Sequence, residues 1–149
     1  MRYNETDLAY AAGIIDGEGN IGVYSNRNKA ATFGLVYRML VQVGMCEIGS
    51  VLFLKEIFGG SLTMQKPTSS SRRQRFHWCI STQQACIFLE AILPYLKIKQ
   101  PQALLAMEFQ ERKKPRGGVP YKLTIQEFSI QKNYSDKLKA LKKEDIRCP

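Results

Sequence analysis

The segment AAGIIDGEG, from Ala11 to Gly19, constrains the chain more than any other stretch of similar length. It reads as an apolar helix closed by three glycines and two acids. Glycine costs a helix about 1 kcal/mol relative to alanine, and a carboxylate at a helix C-terminus meets the negative end of the macrodipole. Ala9, Gly13 and Gly17 recur every four residues, so they share one stripe along which a second helix can approach to backbone contact. Leu8, Ala11 and Ile15 fall on a neighbouring stripe suited to the chain's own core. The 149 residues hold no second copy of the segment. The stripe therefore predicts pairing with the same helix of another chain, in a two-fold homodimer. The expected interface comprises Ala9, Ala12, Gly13, Asp16 and Gly17. In such a pair Asp16 and Glu18 arrive beside their symmetry mates, which is costly unless a hard divalent cation lies between the carboxylates. Taken alone, DGEG also reads as a plain turn after a helix.

Apolar residues make up 44% of the chain, and no apolar run reaches the roughly 18 to 20 residues of a membrane span. MRYNETDLAY has the composition of neither a signal nor a transit peptide. The expected location is a prokaryotic cytoplasm or the organelle that encodes the chain. Cys46, Cys79, Cys86 and Cys148 show no zinc-like spacing, and His77 is the single histidine. Reduced thiols used in packing are the expectation. The two Asn-x-Ser/Thr triplets, at Asn4 and Asn133, are read as chance. Net charge is +9 and unevenly spread. Residues 1–65 sum to −1 and residues 76–108 to zero, whereas 66–75 carry +4 and 109–149 carry +6. Localised basic stretches suit a polyanion, because neutralised phosphates release counterions.

Periodicity predicts a helix capped by Thr6 or Asp7 and running to about Asp16, followed by strands over 20–28 and 32–44 and a helix over 47–58. Two further strands follow over 60–66 and 72–81. Thr82 is the expected cap of a third helix, interrupted by Pro94. A fourth helix spans about 100–113. Thr124 and Glu127 form a capping-box pattern, and Ser135 is the expected start of a final lysine-rich helix. Paired strands between helices predict an α+β fold, with an antiparallel sheet that carries its helices on one face. The other face is then open and polar. It is predicted to carry Tyr24, Asn26, Asn28, Arg38, Gln42, Thr63, Gln65, Arg73, Arg75 and His77. Such a sheet can enter the major groove, where Arg and Gln pair with base edges.

These residues resemble the LAGLIDADG homing endonucleases in the form that carries one motif per chain. AAGIIDGEG aligns over all nine motif positions, with Gly13, Ile15, Asp16 and Gly19 among the identities. LPYLKIKQPQA, residues 93–103, is similar to the family's Pro-x-Leu-Lys-x-Lys-Gln segment. The likeness spans about residues 5–113. It implies one domain over 1–149, with an αββαββα core, a saddle-shaped antiparallel sheet and extra C-terminal helices over about 120–147. It also implies dimerisation through the motif helices and cleavage of both strands of a long double-stranded DNA target with Mg²⁺, for which Ca²⁺ or Mn²⁺ can substitute.

Carried over by position, Glu18 is the implied metal-binding acid, with help from the Gly17 carbonyl. Asp16 is the implied structural acid, able to cap the partner's helix. Lys99 is implied to act near the scissile phosphate, with Lys97 as the alternative. The polar residue expected near the end of the second strand falls on Gln42 or Glu47, and Gln42 is assigned either to catalysis or to a base contact. Lys113, Lys114, Arg116 and the lysines from Lys137 onward are expected on phosphates. No small-molecule cofactor and no membrane partner are expected. The competing function is a non-cleaving RNA maturase or DNA-binding regulator of the same fold.

Overall fold

A computed structural model describes residues 3–70, 73–113 and 122–145. Helix α1 spans Glu5–Glu18 and strand β1 Gly19–Arg27, followed by β2 over Leu35–Met45 and α2 over Ile48–Phe58. β3 covers Ser61–Gln65 and β4 Arg75–Ser81; α3 runs over Thr82–Ile92, α4 over Gln100–Arg112 and α5 over Ile125–Asp145. From α1 to α4 the expected element order is present, and boundaries shift by a few residues. Helix α1 is capped by Asn4 rather than by Thr6 or Asp7. The Asn4 side chain accepts from the Asp7 amide at 2.8 Å, and the Asp7 carboxylate accepts from the Asn4 amide at 3.1 Å. Asp7 thus completes a capping box, and the first turn starts earlier than apolar spacing suggests.

The four strands form one antiparallel sheet in the order β1-β2-β4-β3. Each of the two hairpins contributes its longer strand to the middle. Ile21, Val23, Tyr37, Met39, Val41, Val43, Trp78 and Ile80 alternate along the strands and are buried beneath the helices. Trp78 is fully buried among them, and its indole N–H donates to the Gly59 carbonyl at 2.8 Å. Gly59 and Gly60 both take positive φ between α2 and β3. A Cβ on Gly60 would lie 2.4 Å from the Ile80 side chain, so only glycine lets the chain turn this close to β4.

Thr82 differs from expectation. Ser81 precedes the helix without a side-chain cap bond, and Thr82 begins α3 with φ of 52°. Pro94 does end α3, within a 3-10 turn over Leu93–Tyr95. Ser135 does not start a helix. It is buried inside α5, and its hydroxyl donates to the Val23 carbonyl at 2.7 Å. Tyr134 and Leu138 are buried beside it against α4 and β1. At the start of α5, Phe128 packs on Phe33 and Tyr37, tying the β1–β2 hairpin to this helix. The lysine-rich helix is therefore part of the core rather than an appendage. None of the described helices is long and apolar enough to cross a membrane. Cys46, Cys79 and Cys86 are free thiols, and burial pushes the last two above the ordinary thiol range.

Leu138 is 1% exposed. Its replacement by alanine is expected to cost about 3 kcal/mol, measured by urea denaturation. A cost near zero would mark α5 as peripheral.

Candidate functional site

The end of α1 carries two acids in opposite situations. Asp16 is turned into its own chain, where its carboxylate accepts the backbone N–H groups of Lys97 at 2.7 Å, Ile98 at 3.2 Å and Lys99 at 2.9 Å. These amides lead into α4, whose N-cap is Lys99. The carboxylate therefore sits at the positive end of a helix, where backbone amides point towards it. The helix start that Asp16 caps in the described residues belongs to its own chain. Glu18, the last residue of α1, is exposed and makes no hydrogen bond or ion pair among the described residues.

Lys99 answers Asp16 from the other side. Its ammonium donates to the carbonyls of Ile15 at 2.7 Å, Asp16 at 2.9 Å and Gly19 at 2.8 Å. A cation at the C-terminus of α1 offsets the dipole penalty that the acids raise. The Gly17 carbonyl is not among those that Lys99 takes. Lys97 remains exposed.

Gly19 is required for the fold, since a Cβ there would meet the Ile15 backbone at 2.6 Å. Gly13 and Gly17 are exposed, and a Cβ on either would meet nothing within 4 Å. Nothing in the described chain asks for glycine at these two positions. Ala9 shares their exposed stripe. Ala12 does not: it is fully buried with Ala11 and Ile15, which corrects its placement at an interface.

The face of the sheet opposite the core brings together most of the expected groove residues. Register places Tyr24 across from Arg38, Asn20 across from Gln42, Thr63 across from His77 and Gln65 across from Arg75. Asn26, Arg38, Thr63, Gln65 and Arg75 are exposed, while Tyr24, Gln42 and His77 are partly covered by neighbours. Tyr24 lies back across Gly22, its hydroxyl accepting from the Asn20 amide group at 2.7 Å and from the Lys142 ammonium at 3.0 Å. Lys142 also stands 5.2 Å from the centre of the Tyr24 ring. Asn20 has the same strand parity as Tyr24, and the alternation could have found it. The reach of Lys142 from α5 left no local signal. His77 covers Gly44, and its Nε2 is buried with no partner among the described residues. That atom is thus turned away from any ligand on the open face.

Three expected nucleic-acid contacts fall elsewhere. Asn28 lies beyond β1, where its side chain accepts the Ala30 amide at 3.0 Å in the hairpin loop. Arg73 sits in the loop before β4. Lys113 is drawn inward, donating to the Tyr37 carbonyl and standing 5.4 Å from the centre of the Phe109 ring, so its ammonium serves the fold. Lys114 and Arg116 lie outside the described residues. Glu47 is used as the N-cap of α2; the Ser50 and Gly49 amides hold its carboxyl below the usual carboxylate range. Of the two candidates near the end of the second strand, only Gln42 faces the open sheet.

Among the described residues no three His, Cys, Asp or Glu side chains converge as a metal cluster. Glu18 and the Gly17 carbonyl are oxygen donors of the kind a hard cation takes. The remaining ligands would come from water, phosphate oxygens or a second copy of the helix.

No family model matches the chain, and no curated protein does. Solved structures do. The homing endonuclease I-CvuI in complex with its target is similar over 93% of this chain and 85% of its own, with a TM-score of 0.73 and 21% identity. The homing endonuclease I-TnaI matches over 97% of this chain and 99% of its own, with a TM-score of 0.62 and 17% identity. The I-SmaMI LAGLIDADG homing endonuclease bound to cleaved DNA matches over 99% of this chain but 50% of its own, with a TM-score of 0.64 and 20% identity.

The two acids should respond differently to substitution. Asp16→Ala is expected to lower stability by about 2–4 kcal/mol, since it strips charged acceptors from three amides. Glu18→Gln should stay within about 0.5 kcal/mol of the parent. Thermal and urea denaturation of both variants measure the contrast.

Proposed function

Starting from the LAGLIDADG homing-endonuclease fold of this chain, we propose a site-specific double-stranded DNA endonuclease that acts as a homodimer and uses a divalent metal. The observation that carries this reading is the contrast at the end of α1. One acid is saturated by backbone amides, and the next is exposed with no partner among the described residues.

Glu18 and the Gly17 carbonyl fit Mg²⁺, with Ca²⁺ or Mn²⁺ as substitutes. An ion bound there would activate water and offset charge on the leaving oxygen. Each motif helix offers one exposed acid at its C-terminal end, Glu18. Two copies brought together on the exposed Ala9, Gly13 and Gly17 stripe would supply a pair, one for each strand of a duplex. The space beside Gly13 and Gly17 supports this assembly, because a side chain there would separate the backbones. Half the length of I-SmaMI corresponds to this chain, which suits a unit used twice.

On the open sheet, Arg38, Arg75, Gln42, Gln65 and Asn26 present the donors and acceptors that read base edges in the major groove. Gln42 lies mid-sheet opposite Asn20, which favours a base contact over a part in the chemistry. The exposed lysines of α5 would add sequence-independent affinity from phosphates. I-CvuI was crystallised on DNA with Ca and with Mg, which supports the choice of ligand and ion class.

Selection of cleaved duplexes from a library of long DNA with Mg²⁺, against a Ca²⁺ control, tests the activity directly. Glu18→Gln should lose cleavage and keep target binding within a few-fold. A variant that cuts like the parent removes Glu18 from the metal site, and a parent that binds DNA or RNA without cutting favours the non-cleaving alternative. Gly13→Leu should sediment as a monomer with unchanged far-UV circular dichroism; a stable dimer would exclude this stripe as the contact.

A further inference from the structure

Lys99 occupies the place where a basic residue was expected to meet the scissile phosphate, yet its ammonium is already committed. It has three N–H donors, and three backbone carbonyls accept from it, those of Ile15, Asp16 and Gly19 at 2.7, 2.9 and 2.8 Å. The site is partly buried, so withdrawing the ammonium would strand carbonyls at a helix end whose last turn has no basic residue of its own. On the reciprocal side, the Lys99 backbone N–H is held by Asp16 at 2.9 Å. The residue is thus fixed at both its main chain and its tip.

We infer that Lys99 is a positioning residue for the metal-binding end of α1, and that it aims the Gly17 carbonyl and the Glu18 carboxylate without itself contacting the phosphate. The inference rests on the nuclease reading for what is positioned, and on the hydrogen bonds above for how. The carbonyls of residues 15, 16 and 19 are gripped, and Gly17 and Glu18 lie between the gripped positions. Releasing the ammonium frees this turn to rotate and leaves two acids at the negative end of a dipole without their counter-charge. An arginine retains the charge, but its planar fork cannot direct three donors to three carbonyls grouped around one point.

Lys99→Met and Lys99→Arg separate positioning from charge. In the free protein, amide exchange at Gly17–Gly19 should accelerate by about tenfold or more in both variants, while residues 51–58 of α2 keep parent protection. In the DNA complex, the Ca²⁺ concentration for half-saturation should rise by about tenfold while DNA affinity moves by less than about threefold. Cleavage by both variants should return towards the parent rate at high Mg²⁺. The inference is overturned if exchange at 17–19 is unchanged in both variants. It is also overturned if Lys99→Arg cuts like the parent while Lys99→Met stays inactive at every Mg²⁺ concentration, the pattern of a charge acting on phosphate. Should Lys99→Met fail to fold, Lys99→Arg alone decides. The exchange measurement needs neither DNA nor metal, so a parent protein that does not cut would remove the nuclease reading and leave the capping result standing.

Discussion

The exchange of hydrogen bonds between Asp16 and Lys99 ties the end of α1, where the sheet begins, to the start of α4. One carboxylate gathers three amides at the start of α4, and one ammonium gathers three carbonyls at the end of α1. Each group satisfies the orphan backbone atoms of the other's helix. The chain turns directly from α1 into β1 at Gly19, so a fixed helix end also sets where the sheet begins. The exposed stripe of Ala9, Gly13 and Gly17 and the exposed Glu18 are presented from this one braced corner.

The sheet then separates two kinds of chemistry. Its inner face is a continuous apolar layer with Trp78 at its centre. Its outer face is polar, but part of it is already organised. Tyr24 is tied by Asn20 and Lys142, and His77 is laid over Gly44. Side chains held in this way lose less entropy when a ligand arrives than free ones do. Arg38, Arg75 and Gln65 have greater freedom, because they are exposed and carry longer side chains.

Strand parity made most of the open face legible, because period two leaves little choice once Met39, Val41 and Trp78 face inward. The element order was legible for a related reason: each hairpin and helix leaves a local signature. Contacts made across long sequence distances were not legible. Lys99 lies 84 positions from Ile15, and nothing near it announces a helix cap. Lys113 looks like part of a basic run but reaches 76 positions back to the Tyr37 carbonyl. Ala12 is small like its neighbours Ala9 and Gly13, and size cannot say which side of a helix meets the core. Ser135 resembles a cap by type, although its hydroxyl is used on β1. What was legible at Glu18 is its place at a helix end, because DGEG closes the apolar run of α1.

The two borders of the sheet are guarded unequally. β1 lies on one border, and α5 packs against it with Ser135 donating to the Val23 carbonyl, so the helix covers backbone of an edge strand. β3 forms the opposite border with five residues, Met64 among the most exposed apolar side chains. Such a short ribbon gives an intruding strand little to pair with. Protection against aggregation thus comes from a cover on one side and from brevity on the other.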